Sequence, residues 1–257
     1  MKTVFFRFYE ELNDFLPEYK RKNTFEHNFT GRVAVKDIIE SLGVPHTEID
    51  LILVNGSSAG FDYKVSDGDK ISVYPEFESL DISGVQHLRA KPLRLPRFIL
   101  DVHLGKLARL MRMVGLDTLY ENDYADEEIV KISSGDKRCI LTRDIGILKR
   151  NEVMRGYWVR NTDPGKQLKE IINRFDLMDS LREFSRCTLC NEELRSVDKT
   201  TIYDRLPPKV KTAYDRFFIC SNCDKIYWAG SHVDEMDEYI NELKAEINNE
   251  EKPDHNN

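Results

Sequence analysis

FILDVHLGKLARLMRMVGLDTLY, residues 98–120, opens with three apolar residues, breaks at an aspartate and continues as an amphipathic helix. Leu104, Leu107, Ala108 and Met111 fall at helical spacing, and Gly115 stands where a carboxyl cap belongs. DTLY is then a second short strand. The alternation continues: ADEEIVKISSG (125–135) reads as a short helix, RCILT (138–142) as a strand, DIGILKR (144–150) as a helical turn, YWVR (157–160) as a strand and PGKQLKEIINRF (164–175) as a helix. Short strands alternating with helices predict a three-layer α/β domain with a parallel sheet over residues 97–183.

Ahead of this domain the pattern changes. VFFRFY (4–9) is a strand, a polar stretch follows, and VAVKDIIESLGV (33–44) carries Val35, Ile38, Ile39 and Leu42 at helical spacing with Gly43 as its cap. LILVNG (51–56) ends a buried strand in an Asn-Gly turn, and DGDKISVYP (67–75) pairs a turn with an alternating strand that Pro75 closes. Strands around one helix within residues 1–82 predict a β-grasp fold. VKDIIESLGVP, LILVNG and DGDKISVYP resemble the ubiquitin-like sulfur carriers of thiamine and molybdopterin synthesis. Those carriers end in a free Gly-Gly, whereas this strand runs on through PEFESLDISGVQHL without a diglycine. Carrier chemistry is therefore not expected, and docking of a protein partner is. Residues 83–96, with Pro92 and Pro96, read as a linker.

The chain has 257 residues and a net charge of −7, which by itself disfavours an acidic partner. The charge is uneven. From Gln86 to Gly115 there are seven Lys or Arg residues against one acid, Asp101, a balance suited to a phosphate-bearing partner or to a solvated linker and helix face. No apolar run approaches a membrane span and no export signal precedes the first strand, so no membrane partner is expected and the cytoplasm is the expected compartment.

Four of the five cysteines form two CxxC pairs, Cys187 with Cys190 and Cys220 with Cys223, separated by 29 residues. Each pair directs two thiolates at one ion, and together they make a closed S₄ site for structural Zn²⁺. Residues 184–233 are accordingly read as a zinc ribbon. Trp228 and His232, beside Lys225 and Tyr227, suit stacking on unpaired bases or packing within the protein. In the tail, 234–257, helical spacing from about residue 234 to 247 precedes a polar, disordered end. Cys139 reads as a small buried hydrophobe.

Asp101, Asp144 and Asp163 each follow a strand, and the carboxyl ends of parallel strands face one crevice. Asp126 and Glu127 begin the intervening helix and reach toward the same edge. Carboxylates gathered there repel unless a cation sits among them, and hard oxygen ligands suit Mg²⁺ or Mn²⁺. Such an ion activates water and stabilises a leaving oxygen, which makes phosphodiester hydrolysis the implied chemistry. Helix capping accounts for the same residues: Asp163 precedes Pro164 as an N-cap does, Asp126 and Glu127 lie in a first turn, and Asp144 starts a helical turn. Arg109 and Arg112 lie off the apolar stripe and are expected to be exposed, and Arg143 flanks Asp144; all three are candidate phosphate donors.

FILDVHLGKLARLMRMVGLDTLY, ADEEI, ILTRD and VRNTDPGKQL, with two CxxC pairs behind them, resemble the Mut-seven C-terminal domain, a PIN-like ribonuclease domain fused to a zinc ribbon. One branch of that family carries an amino-terminal ubiquitin-like domain, which matches residues 1 to about 80. The resemblance implies RNA as the partner, and a ligand set of Asp101, Asp126 or Glu127, Asp144 and Asp163. It also draws Trp228 and His232 toward RNA contact. The expected protein is a metal-dependent ribonuclease, with a non-cutting RNA-binding protein and a β-grasp adaptor as alternatives.

Overall fold

The computed structural model describes residues 1–75, 96–182 and 185–228. They form two compact units, one of residues 1–103 with 124–159 and one of 104–123 with the described part of 160–257. Most of the linker at 83–96, the tail helix at 234–247 and His232 lie outside the described residues.

The chain begins with β1 (Lys2–Phe8), β2 (Phe25–Phe29), α1 (Val35–Ser41), β3 (Ile49–Val54), β4 (Ser57–Ser58) and β5 (Lys70–Pro75). The sheet order is β2-β1-β5-β3-β4, with β1 and β5 parallel and the other pairs antiparallel. This is the β-grasp arrangement. Period-two alternation in β1 sends Val4, Phe6 and Phe8 into the core, where Val35, Ile38 and Ile39 of α1 meet them. Asn55 and Gly56 both adopt positive φ, +52° and +84°, the left-handed pair that a two-residue hairpin between β3 and β4 requires. The stretch that reads as polar after the first strand contains β2. Its FEHNF needs only one apolar face at the sheet edge, and the Phe25 ring stacks 6.1 Å from Phe8 and 6.4 Å from Phe6.

After β5 come β6 (Phe98–Leu100), α2 (Gly105–Met113), β7 (Thr118–Leu119), α3 (Asp126–Asp136), β8 (Cys139–Thr142), α4 (Ile145–Leu148), β9 (Gly156–Trp158) and α5 (Pro164–Arg174). Within the first unit β6, β8 and β9 run parallel in that order, Phe98 opposite Cys139 and Ile140 opposite Gly156. Phe98, Ile99, Leu100, Ile140 and Leu141 are wholly buried, as strands covered on both faces must be, and each contributes about 1.5–3 kcal/mol of burial. Cys139 is buried among them. Gly156 admits close packing of α4: a Cβ there would lie 2.4 Å from Leu148 Cδ2.

In the second unit α2 packs on α5, with Leu107, Ala108 and Met111 on one helix and Leu168, Ile171 and Ile172 on the other all buried. Gly115 ends α2's turn at φ +90°, where a Cβ would sit 2.2 Å from the Arg182 carbonyl oxygen. Gly115→Ala is therefore expected to destabilise the second unit by roughly 1–3 kcal/mol, read as a lower urea midpoint at unchanged slope. The ribbon follows as β10 (Leu194–Val197), α6 (Lys199–Ile202), α7 (Pro208–Ala213), β11 (Phe217–Cys220) and β12 (Ile226–Trp228). Its antiparallel strands lie in the order β10-β11-β12. The two short helices, absent from the periodicity of the sequence, supply Ile202 and Val210 to a small core with Leu206 and Phe217.

Candidate functional site

Asp101 follows β6 and is 6% exposed. Its Oδ2 accepts a 2.8 Å hydrogen bond from the Thr142 hydroxyl at the end of β8, and the Thr142 oxygen accepts one of 2.8 Å from the Asp144 amide. The ends of two neighbouring parallel strands are thus clamped by one threonine. Asp144 is exposed and caps α4 through Oδ1, which accepts from the Gly146 amide at 2.7 Å. Asp101 Oδ1 and Asp144 Oδ2 accept no hydrogen bond from a described residue. Carboxylate oxygens are the donor type that a hard divalent cation takes, one or two at a time, before water and phosphate complete its coordination.

Among the described residues the group of three or more acid, cysteine or histidine side chains placed to hold an ion is the cysteine set. Asp126 and Glu127 are exposed in the first turn of α3, where acids favour the helix dipole. Glu127 lies 2.9 Å from Arg150, whose hydrogen bond holds its carboxyl below the usual value. Asp163, in the second unit, is exposed and caps α5, its Oδ1 accepting from the Lys166 amide at 3.0 Å, with Pro164 opening the helix.

The three arginines fare differently. Arg109 is exposed, as expected. Arg143 is half-buried and donates from Nη1 to the Val159 carbonyl at 2.9 Å. Arg112 corrects the expectation of exposure, since it is 4% exposed. Its Nε donates to the Thr118 carbonyl at 2.8 Å, Nη1 to Leu189 at 2.6 Å and Nη2 to Tyr120 at 3.1 Å. The guanidinium fork satisfies backbone both of β7 with the residue that follows it and of the first cysteine knuckle. Asn191 strengthens the same junction: its Oδ1 accepts from the Thr118 amide and its Nδ2 donates to Asp117, both at 2.8 Å. Arg112→Ala is expected to cost on the order of 3–4 kcal/mol, because buried hydrogen bonds to a charged donor are lost and carbonyls are left bare. Arg112→Lys should restore little of it, since one ammonium cannot span three carbonyls; thermal unfolding of both variants measures the difference.

Cys187, Cys190, Cys220 and Cys223 place their sulfurs within 4.8 Å of one another, so the set can bind zinc. Burial pushes the Cys187 thiol up, but the Tyr227 hydroxyl, the amides of Cys190 and Leu189, and Cys223 outweigh it and hold the thiol at about 6. Burial pushes Cys223 up to about 12. Tyr227 was not expected to matter here. Its hydroxyl lies 3.1 Å from Cys187 Sγ and accepts from the Thr188 amide at 3.2 Å, which orients the first knuckle. Trp228 is half-buried against the small ribbon core rather than displayed. Among the described residues of the ribbon the exposed ring is Tyr203, 48% exposed, with Lys211 Nζ 4.4 Å from its centroid.

No helix among the described residues is long and apolar enough to cross a membrane. The family described as Mut7-C RNAse domain matches residues 96–240, and the family described as Mut7-C ubiquitin matches residues 1–81. Among solved structures, SAMP1 from Haloferax volcanii is similar at 16% identity, covering 30% of this chain and 98% of its own, with a TM-score of 0.25. No curated protein matches the chain.

Proposed function

Because the chain belongs to the Mut7-C RNase domain family, with a Mut7-C ubiquitin domain ahead of it, we propose that it is a metal-dependent ribonuclease. The observation that carries this reading is the buried Asp101 joined through Thr142 to Asp144 at the ends of adjacent parallel strands. Mg²⁺ or Mn²⁺ held there would supply an activated water and charge for a phosphodiester's leaving oxygen. Asp101, buried and fixed by Thr142, would give Oδ1 to the cation without rearranging. Asp144 would give Oδ2 while Oδ1 stays on the cap. Asp126 and Asp163 would be further ligands, on the resemblance of the sequence alone.

For RNA contact, Arg109 would offer an exposed guanidinium, and Tyr203 with Lys211 a ring and a cation, alongside Trp228 and His232. Zn²⁺ at the four cysteines would be structural, with no open coordination position.

The test is incubation of the purified chain with single-stranded and structured RNA in Mg²⁺ or Mn²⁺. Cleavage that EDTA abolishes and a divalent ion restores is the expected result, and no product with either ion sinks the reading. A non-cutting RNA-binding protein is the second reading, favoured by the exposed first-turn places of Asp126 and Glu127 in α3, where the helix dipole accounts for acids. It predicts binding that survives EDTA and Asp144→Asn.

A further inference from the structure

β9 is the terminal strand of its sheet, so alternate amides face away from β8. The Val159 amide donates inward to Thr142 at 2.8 Å, which turns the Trp158 amide outward. An outward amide on an open edge normally meets water or another strand. Here it meets Glu48, wholly buried in the 3-10 turn His46–Glu48 of the amino-terminal domain, whose Oε1 accepts it at 2.5 Å.

The contact is one of several. Phe15 of the amino-terminal domain lies 5.1 Å from the Trp158 ring. The Trp158 indole donates to the Arg143 carbonyl at 3.3 Å, and Arg143 returns a hydrogen bond to the Val159 carbonyl. Further along the same loop His46 Nε2 lies 2.9 Å from the Val153 carbonyl, Lys149 donates to the Glu40 carbonyl at 3.0 Å, and Lys36 donates to Asn151 at 2.9 Å. Residues 143–158 are held at several points by the amino-terminal domain, and Thr142 and Asp144 stand at their start.

We infer that the ubiquitin-like domain is a built-in brace of the carboxylate site, and that Glu48 is the positioning residue through which it fixes the Thr142–Asp144 strand end. The path runs from Glu48 to the Trp158 amide, from the Trp158 indole to the Arg143 carbonyl, and so to the Asp144 backbone. The face of the domain formed by α1 and the 3-10 turn is engaged within the chain, so a protein partner, if one docks on this domain, meets another face. The catalytic part of this inference rests on the ribonuclease reading; the structural part does not.

The test compares full-length wild type, Glu48→Gln and Glu48→Leu by amide hydrogen exchange and by cleavage kinetics in Mn²⁺. Glu48→Leu keeps the bulk and removes the acceptor, whereas the Gln carbonyl oxygen still accepts the Trp158 amide. Glu48→Leu is expected to lose protection about tenfold at Trp158, Val159 and Asp144, the scale of one buried hydrogen bond, with β1 amides unchanged. kcat should fall at unchanged KM, and Glu48→Gln should recover both. Unaltered protection at Asp144, or a loss spread evenly through β1 and β8, overturns the brace. If wild type cuts no RNA, the ribonuclease reading fails and the exchange pattern alone decides the brace. Should Glu48→Leu not fold, Trp158→Phe removes the indole donor alone. Loss of protection at Asp144 then supports the path, and unchanged protection overturns it.

Discussion

Cys220→Ser is expected to strip the chain of zinc and leave residues 185–228 without protected amides. The ribbon's core consists of Ile202, Leu206, Val210 and Phe217, with partly buried neighbours, on three strands of three or four residues each. A core of that size does not offset the entropy of ordering the segment, whereas a structural Zn²⁺ on thiolates contributes about 10–16 kcal/mol to folding. The two knuckles are already brought face to face: Cys187 and Cys223 sulfurs lie 3.4 Å apart, as do those of Cys190 and Cys220. The measurement pairs metal content with hydrogen exchange. Wild type should carry one zinc per chain and the variant none. The damage should reach α2, because unfolding the knuckle removes the Leu189 carbonyl from Arg112 and Asn191 from Thr118. A zinc-free variant with the ribbon still protected would contradict this account.

Asp101→Asn should abolish cleavage while leaving the fold intact. The amide keeps a carbonyl oxygen to accept the Thr142 hydroxyl, so the clamp between β6 and β8 survives. The substitution removes the charge and the anionic oxygen that faces no described donor. Mutating groups that merely orient metal ligands costs about 10–100-fold, and loss of the ligand itself should exceed that, so at least a ~100-fold fall in kcat is expected. Unchanged thermal unfolding would separate lost chemistry from lost structure. Thr142→Val offers the complementary case: Asp101 stays charged but loses its donor, and a fall of about 10–100-fold is expected from misplacement. If Asp101→Asn cuts RNA as fast as wild type, the strand-end acids are not the site.

Periodicity carried most of the secondary structure, because burial on one face is written locally. The strands at FIL, CILT and LILV and the helices around Leu107 and Leu168 follow from it. β2 escaped since FEHNF buries only alternate residues at an edge, and α6 and α7 escaped since helices of four and six residues leave too short a period. The cysteine site was legible for the same local reason, each ligand pair being close in sequence. Arg112 was not. Beside Met111 on the helix it reads as solvent-facing, and its acceptor at Leu189 lies 77 residues away. Thr142 stood in the quoted ILTRD, but only the adjacency of β6 and β8 gives its hydroxyl a carboxylate to hold. Glu48 gave no signal, since an acid in a surface-like turn becomes buried only when a second domain closes over it.

The Arg112 junction has a practical bearing on where this chain can be divided. A fragment ending at residue 183 would keep the guanidinium and discard one of its three carbonyls, together with the side chain that Thr118 and Asp117 grip. A fragment starting at 184 would keep the knuckle and lose the turn that seats it. Helix and knuckle behave as one inheritance, passed on together or not at all, although more than sixty residues of strand, loop and helix are threaded between them.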